Sequence, residues 1–165
     1  MMKERIYSEI HGIMFTGKQN IPWDKVEDYL KKYIGAEYVV EEYQDSVMIA
    51  GDFPDEYTES VYTKKLRGAL AKVKANAAQI IDDLVIHATN RRWVENKAEK
   101  HRKNAEDGWF RYDTYFLMAV QGNGESEVRV NKYIATLIVR KTSKGMFLYD
   151  IINIKKEAST PLKSE

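Results

Sequence analysis

Hydrophobic and polar residues alternate along the last third of the chain, a pattern typical of half-buried β-strands. Three such runs cover residues 109–121, 131–141 and 146–155, and glycine-containing turns separate them. Short turns between neighbouring strands favour antiparallel pairing. The pattern therefore predicts a three-stranded antiparallel meander at the C-terminal end.

The residues before the meander have helical spacing. Between about 62 and 89, hydrophobic side chains recur in a 4-3 rhythm that predicts one long helix with a buried stripe. The stripe is Leu66, Leu70, Val73, Ala77, Ile80, Leu84 and His87. A second helix is predicted over 92–106, with Asn90 as the break between the two. We expect the stripe to pack against the strands.

The N-terminal third predicts smaller elements. Residues 1–20 have weak periodicity and predict an arm or a short helix. A helix is expected from Pro22 to Gly35, then a hairpin with strands at 37–42 and 46–51. A turn at 52–55 follows.

Together these elements predict a single α+β domain over residues 21–157. We expect an antiparallel β-sheet of about three to five strands packed against two or more helices. An acidic αββ lobe would occupy 21–55 and the helical and β-meander part 56–157. The polar tail, 158–165, is predicted to be disordered.

Composition narrows the class of protein. The chain has 165 residues, a net charge of +1 and no cysteine. Disulfides are therefore excluded, and the missing apolar span and signal-peptide pattern predict a cytoplasmic protein without a membrane partner. Residues 1–60 hold 13 acidic and 6 basic side chains (−7), and residues 61–165 hold 12 and 20 (+8). This asymmetry indicates either a basic binding face or two halves that attract each other.

Three histidines, His11, His87 and His101, are the candidates for metal or acid–base chemistry. They form no metal-ligand motif, and the chain has no phosphate-binding glycine loop, so we expect neither a metal nor a cofactor. His87 and His101 fall on apolar helix faces. Each is either a packed histidine or a general acid–base group.

Basic residues surround His101 and recur in the strands. Lys97, Lys100, Arg102 and Lys103 are its neighbours in sequence and could hold a phosphodiester. Strand alternation places three further polar side chains on one open sheet face, namely Arg111, Thr136 and Arg140. A buried Asp150 would need a cation, and Arg111 or Arg140 is its expected partner. The alternative is that these residues form the solvated side of the sheet.

Several short motifs carry a family resemblance. They are Asp-Phe-Pro-Asp-Glu-Tyr-Thr at 52–58, the helical run 66–87, Glu-Lys-His at 99–101, Gly-Trp-Phe-Arg-Tyr at 108–112, Tyr-Ile-Ala at 133–135 and Phe-Leu-Tyr-Asp-Ile at 147–151. Over roughly 50–157 the chain resembles large polyvalent-protein-associated domains of prophages and integrative elements, and phage-borne versions of the barnase–EndoU–colicin–RelE-like fold. The resemblance implies a helix layer on an antiparallel sheet and, in active members, metal-independent RNA cleavage. The mid-strand Glu of a barnase-like general base has no counterpart here.

The resemblance assigns roles to residues. The catalytic set would be His101, Arg111 and Arg140, and RNA would contact Lys97, Lys100, Lys103, Thr136 and Tyr149. The leading hypothesis is RNA binding or cleavage on a basic C-terminal face. The alternative is a non-catalytic accessory or protein-interaction module of a mobile element, and a small-molecule site in the sheet–helix cleft is the third option.

Overall fold

One large β-sheet organises the protein. The computed structural model describes residues 4–17, 20–95, 108–122 and 128–162. Its strands are β1 (Tyr7–Ile10), β2 (Glu37–Val40), β3 (Asp45–Met48), β4 (Thr89–Glu95), β5 (Gly108–Gln121), β6 (Val128–Thr142) and β7 (Gly145–Pro161). Its α-helices are α1 (Trp23–Leu30), α2 (Phe53–Glu59), α3 (Val61–Lys65), α4 (Gly68–Ala77) and α5 (Ile81–Ile86), and 3₁₀ turns follow α1 and α4.

The sheet has seven strands in the order β1-β5-β6-β7-β3-β2, and β4 pairs with β5 on the same edge as β1. The pairs β1–β5 and β3–β7 are parallel, and the others are antiparallel. The predicted antiparallel sheet of three to five strands is therefore wrong. The sheet is mixed and curls into a half-barrel, with 46% of the described residues in strands and 30% in helices. Both parallel pairs join distant segments, which local alternation does not reveal.

The three long C-terminal strands confirm the predicted meander and give the sheet its curl. They contain 14, 15 and 17 residues, and the β6–β7 register shifts at three places. Such bulges bend a strand and increase its twist. Asn153 has a φ of 53°, in the left-handed region, beside one of the shifts. β7 continues to Pro161, beyond the expected domain end at 157.

The predicted long helix is broken into short ones. The side chain of Ser60 accepts a hydrogen bond from the Thr63 amide at the start of α3. Leu66 and Arg67 are extended, and Gly68 has a φ of 61°. The chain therefore turns sharply before α4, and the apolar rhythm continues across separate segments. Its central members, Val73, Ala77, Ile80 and Leu84, are buried, while Leu66, Leu70 and His87 are only half-buried.

The predicted second helix is also wrong where it can be compared. Residues 89–95 form β4, which pairs with β5. Asn90, expected as a helix break, has a φ of 53° and sits at a register shift between Thr89 and Arg92. The rest of that prediction, 96–106, lies outside the described residues.

Two of the predictions for the N-terminal third are confirmed. The hairpin is confirmed as β2–β3 and the first helix as α1. The predicted arm contains strand β1, and the predicted turn at 52–55 begins α2. No helix within the described residues is long and apolar enough to cross a bilayer.

The main core lies between one face of the sheet and the helices. Tyr112, Leu137 and Leu148 are completely buried there, and the Thr114 hydroxyl donates to the Leu84 carbonyl of α5 (2.9 Å). Burying large side chains of this kind contributes roughly 1.5–3 kcal/mol each. Strand alternation therefore places Arg111, Thr136 and Arg140 on the opposite sheet face.

Candidate functional site

Three arginines and two aromatic residues gather on the sheet face opposite the main core. We call this set, Arg92, Trp109, Arg111, Arg140 and Tyr149, the arginine face. Arg92 stands directly opposite Arg111 between β4 and β5, and Trp109 stands opposite Arg140 between β5 and β6. Directly opposed residues have Cβ atoms about 4.5–5.5 Å apart. The β-pairing therefore concentrates positive charge in a small area.

Two of the three arginines have carboxylate partners. The Nη1 and Nη2 atoms of Arg140 donate to the two carboxylate oxygens of Asp52, at 2.6 and 3.0 Å. Arg92 Nη2 lies 3.1 Å from Oδ1 of Asp113. A bidentate pair has a fixed geometry, so Arg140 is held against the start of α2. Its guanidinium is therefore occupied by the protein's own carboxylate.

Arg111 is different because its guanidinium has no hydrogen-bond or ion-pair partner within the part of the chain that the structure describes. Its Nε atom is completely shielded from solvent and still unpaired. A buried donor without a partner costs about 1–3 kcal/mol, more when it is charged. An anion bound here would satisfy that donor and offset the repulsion from Arg92.

Aromatic rings border the arginines. The rings of Trp109 and Tyr149 meet edge to face with centroids 5.0 Å apart, and both side chains are half-buried. Burial raises the pKa of the Tyr149 phenol, and its hydrogen bond to Glu56 raises it further. Tyr149 is therefore a neutral hydrogen-bonding group at neutral pH and cannot serve as a base.

The predicted site residues are only partly brought together. Arg111, Thr136 and Arg140 do share one face, as β-alternation predicted. That face is not fully open, because Thr136 is 7% exposed and Arg140 is 9% exposed. Tyr149 borders the same face beside Trp109. The four remaining predicted residues lie outside the described residues; these are Lys97, Lys100, His101 and Lys103.

Asp150 has a different partner from the one predicted. It is completely buried, and Lys74 of α4 donates to its Oδ1 atom at 2.7 Å. Ser60 donates to Oδ2 (2.6 Å), and the Ile151 amide donates to Oδ1 (2.7 Å). The Lys74 ammonium also donates to Thr63 (2.6 Å). The expectation of Arg111 or Arg140 is therefore wrong, and the network is a structural link between α3, α4 and β7.

Burial opposes both charges of this ion pair. It lowers the pKa of Lys74 and raises the pKa of Asp150, while the mutual attraction acts in the opposite direction on each. The close contact and the three further hydrogen bonds supply the stabilisation that an ionised buried pair requires. The pair is therefore charged in the native protein.

A cleft of about 660 Å³ opens where β1 and β4 separate along the edge of β5. It exposes His87, which sequence placed on a core stripe; here it ends α5, and its Nδ1 atom lies 3.8 Å from Glu41. Arg5 is in the lining with four carboxylates, those of Glu4, Glu41, Glu42 and Asp113. An acidic lining of this kind repels phosphate. Within the described residues, no three His, Asp or Glu side chains are arranged to hold a metal ion.

Sequence reasoning missed β4 and therefore Arg92. The signal was present in Arg-Arg-Trp-Val at 91–94, where β-favouring residues follow a pair of cations. Comparison of the chain with models of protein families, with curated proteins and with solved structures gives no match. The resemblance to phage domains thus rests on the short motifs alone.

Proposed function

We propose that the protein binds single-stranded RNA through the arginine face. The observation that carries the proposal is the unpaired guanidinium of Arg111, with a shielded Nε and a second arginine directly opposite. An RNA phosphate supplies the acceptor oxygens and the negative charge that this group lacks. The acidic cleft beside His87 does not suit this ligand.

The neighbouring side chains support RNA over a lone inorganic anion. Trp109 and Tyr149 border the arginines, and bases of single-stranded RNA stack on aromatic rings next to cations. Double-stranded RNA shields its bases, so it offers less to such rings. A single strand is therefore the expected form.

The proposal concerns binding and not cleavage. General acid–base catalysis requires a titratable group beside the scissile phosphate. His101 was the predicted group and lies outside the described residues, while the raised pKa of the Tyr149 phenol keeps it protonated and therefore unavailable as a base. RNA recovered intact after incubation with the protein agrees with a binding function.

The test measures affinity for a uridine oligomer of about 12 nucleotides by fluorescence anisotropy. Arg111→Gln should weaken binding roughly tenfold or more, since a hydrogen bond to a charged group contributes about 1.5–3 kcal/mol. It should also reduce the slope of log K against log salt by about 0.7. Lys25→Gln, at an exposed position of α1, is the matched control with the same loss of charge.

Two results would overturn the proposal. One is no binding by well-folded protein at about 50 mM salt. The other is equal affinity for Arg111→Gln and Lys25→Gln. Either result favours the non-catalytic interaction module, for which the exposed strand β4 is the supporting feature.

A further inference from the structure

Strand β4 is an exposed sheet edge. Within the described residues it pairs with β5 alone, so its other edge carries no β-partner there. Six consecutive residues, 90–95, are exposed, and Trp93 and Val94 are each 41% exposed. An uncovered edge strand is a template for another strand, and exposed hydrophobic side chains such as these favour that pairing.

We propose that β4 pairs with β4 of a second copy of this chain, antiparallel and about a two-fold axis at Trp93. This inference goes beyond RNA binding and stands without it. A two-fold interface uses the same surface on both copies, so each residue must suit its symmetry mate. The sequence of β4 decides which register satisfies that condition.

A two-fold axis at any residue of β4 keeps matching sheet faces together, and three such registers centre on Arg92, Trp93 and Val94. Centring on Arg92 places two arginines directly opposite each other, which is destabilising. Centring on Val94 places the Trp93 ring against Glu95 and leaves Arg91 out of the pairing. Centring on Trp93 pairs the two indoles and sets Arg91 opposite Glu95 of the second copy, twice by symmetry. Charge complementarity and the aromatic pair therefore select one register.

Trp93 and Arg91 lie on the same face of β4, as this register requires. Trp93 lies against Phe110 with ring centroids 4.8 Å apart, and the Arg91 guanidinium lies 5.1 Å from the same ring. Both are therefore on one face of β4. The Nη1 atom of Arg91 donates to both carboxylate oxygens of Asp45, each at 2.9 Å. Its other guanidinium nitrogens remain for the second copy's Glu95.

The pairing would extend the arginine face. In this register the same sheet face of both copies lies on the same side. The two Arg111 side chains would therefore lie on one continuous surface, and the strand spacing and rise place them about 16 Å apart. This consequence rests on the proposed RNA function. A single strand that spans both sites would gain affinity through effective concentration.

Sedimentation equilibrium without RNA tests the pairing. We expect reversible dimers with a Kd on the order of 1–100 µM, since an edge interface of this length is small. Glu95→Arg sets two arginines opposite each other and should raise the Kd more than tenfold. Glu9→Arg, an exposed residue of β1, is the control for the same charge change and should leave the Kd unchanged.

A charge-swap mixture makes the test specific to the register. Arg91→Glu and Glu95→Arg should each be monomeric alone, but their mixture restores both opposite-charge pairs and should form heterodimers. A wild type that stays monomeric throughout, or Glu95→Arg dimers as tight as the wild type, would overturn the proposal. If Arg91→Glu fails to fold, the comparison of Glu95→Arg with Glu9→Arg still decides. Because no RNA is present, failure here leaves the RNA proposal standing.

Discussion

Removing the ammonium of Lys74 should destabilise the protein strongly. In Lys74→Met the side chain keeps an unbranched apolar stem, one atom shorter, but loses the charge that faces Asp150 at 2.7 Å. Both side chains are within 1% of complete burial. The Asp150 carboxylate would then remain in the interior with only Ser60 and a backbone amide as donors.

The magnitude follows from that burial. Breaking a buried ion pair on one side costs about 3–5 kcal/mol, because an uncompensated charge is left. For a chain of this size each kcal/mol lowers the melting temperature by about 2–4 °C, so the expected decrease is about 6–20 °C. Replacing both partners, in Lys74→Met with Asp150→Leu, should recover at least half of the loss, since no buried charge remains.

The pH dependence identifies the mechanism. Burial raises the pKa of Asp150 and Lys74 is the strongest opposing influence, so Lys74→Met should raise that pKa further. An acid whose pKa is higher in the folded state than in the unfolded state stabilises the fold at low pH and loses this contribution as pH rises through the folded pKa. The difference in the free energy of unfolding between wild type and Lys74→Met should therefore become smaller as the pH falls from 7 to 5.

Thermal melts followed by circular dichroism measure these effects. Lys72→Met, the same substitution two residues earlier on α4, is the control and should stay within about 1 kcal/mol of the wild type. A Lys74→Met melting temperature within ~2 °C of the wild type would refute the assignment of a charged, buried pair. A gap that widens on acidification would refute the linkage argument.

Two further predictions concern packing. Gly108→Ala should cost about 1–3 kcal/mol by thermal melt, because a Cβ there would lie 2.5 Å from the Trp93 ring and 2.8 Å from a backbone oxygen; an unchanged melt would show that the ring moves freely. Asn76→Ala should cost about 2–4 kcal/mol and speed proteolysis near residue 14, because the Asn76 amide accepts from Met14 and Phe15 and donates back to Phe15. Unchanged proteolysis would contradict that anchoring role.

The sequence predicted the elements whose hydrophobic pattern is local. The meander and the β2–β3 hairpin have strand alternation and turn residues close together in the chain, and both are confirmed. The parallel partners of β5 and β7 are distant in sequence, and no local pattern indicates them. The helix over 62–89 was wrong because apolar spacing survives interruptions, and the left-handed Gly68 went unrecognised as a turn.

The candidate site shows the same division. Alternation placed Arg111, Thr136 and Arg140 on one face, since side-chain direction in a strand depends only on parity. Which of them would find a carboxylate partner depended on tertiary structure. Asp52, at the start of α2, accepts a hydrogen bond from Arg140 and is 88 residues away in sequence. The sequence therefore predicted which polar residues of the strands need a partner. The identity of each partner depends on tertiary packing and could not be predicted.

The difference between Arg111 and Arg140 is the basis of the functional argument. Both are arginines of the meander on the same sheet face, and a sequence-based assignment gives them equal roles. Asp52 neutralises Arg140, whereas the residue directly opposite Arg111 on β4 is another cation. A protein that only needed a stable sheet gains nothing from two opposed arginines. The proposed anionic ligand would balance the charge at Arg111, and that reasoning makes Arg111→Gln, and not a change at Arg140, the decisive substitution.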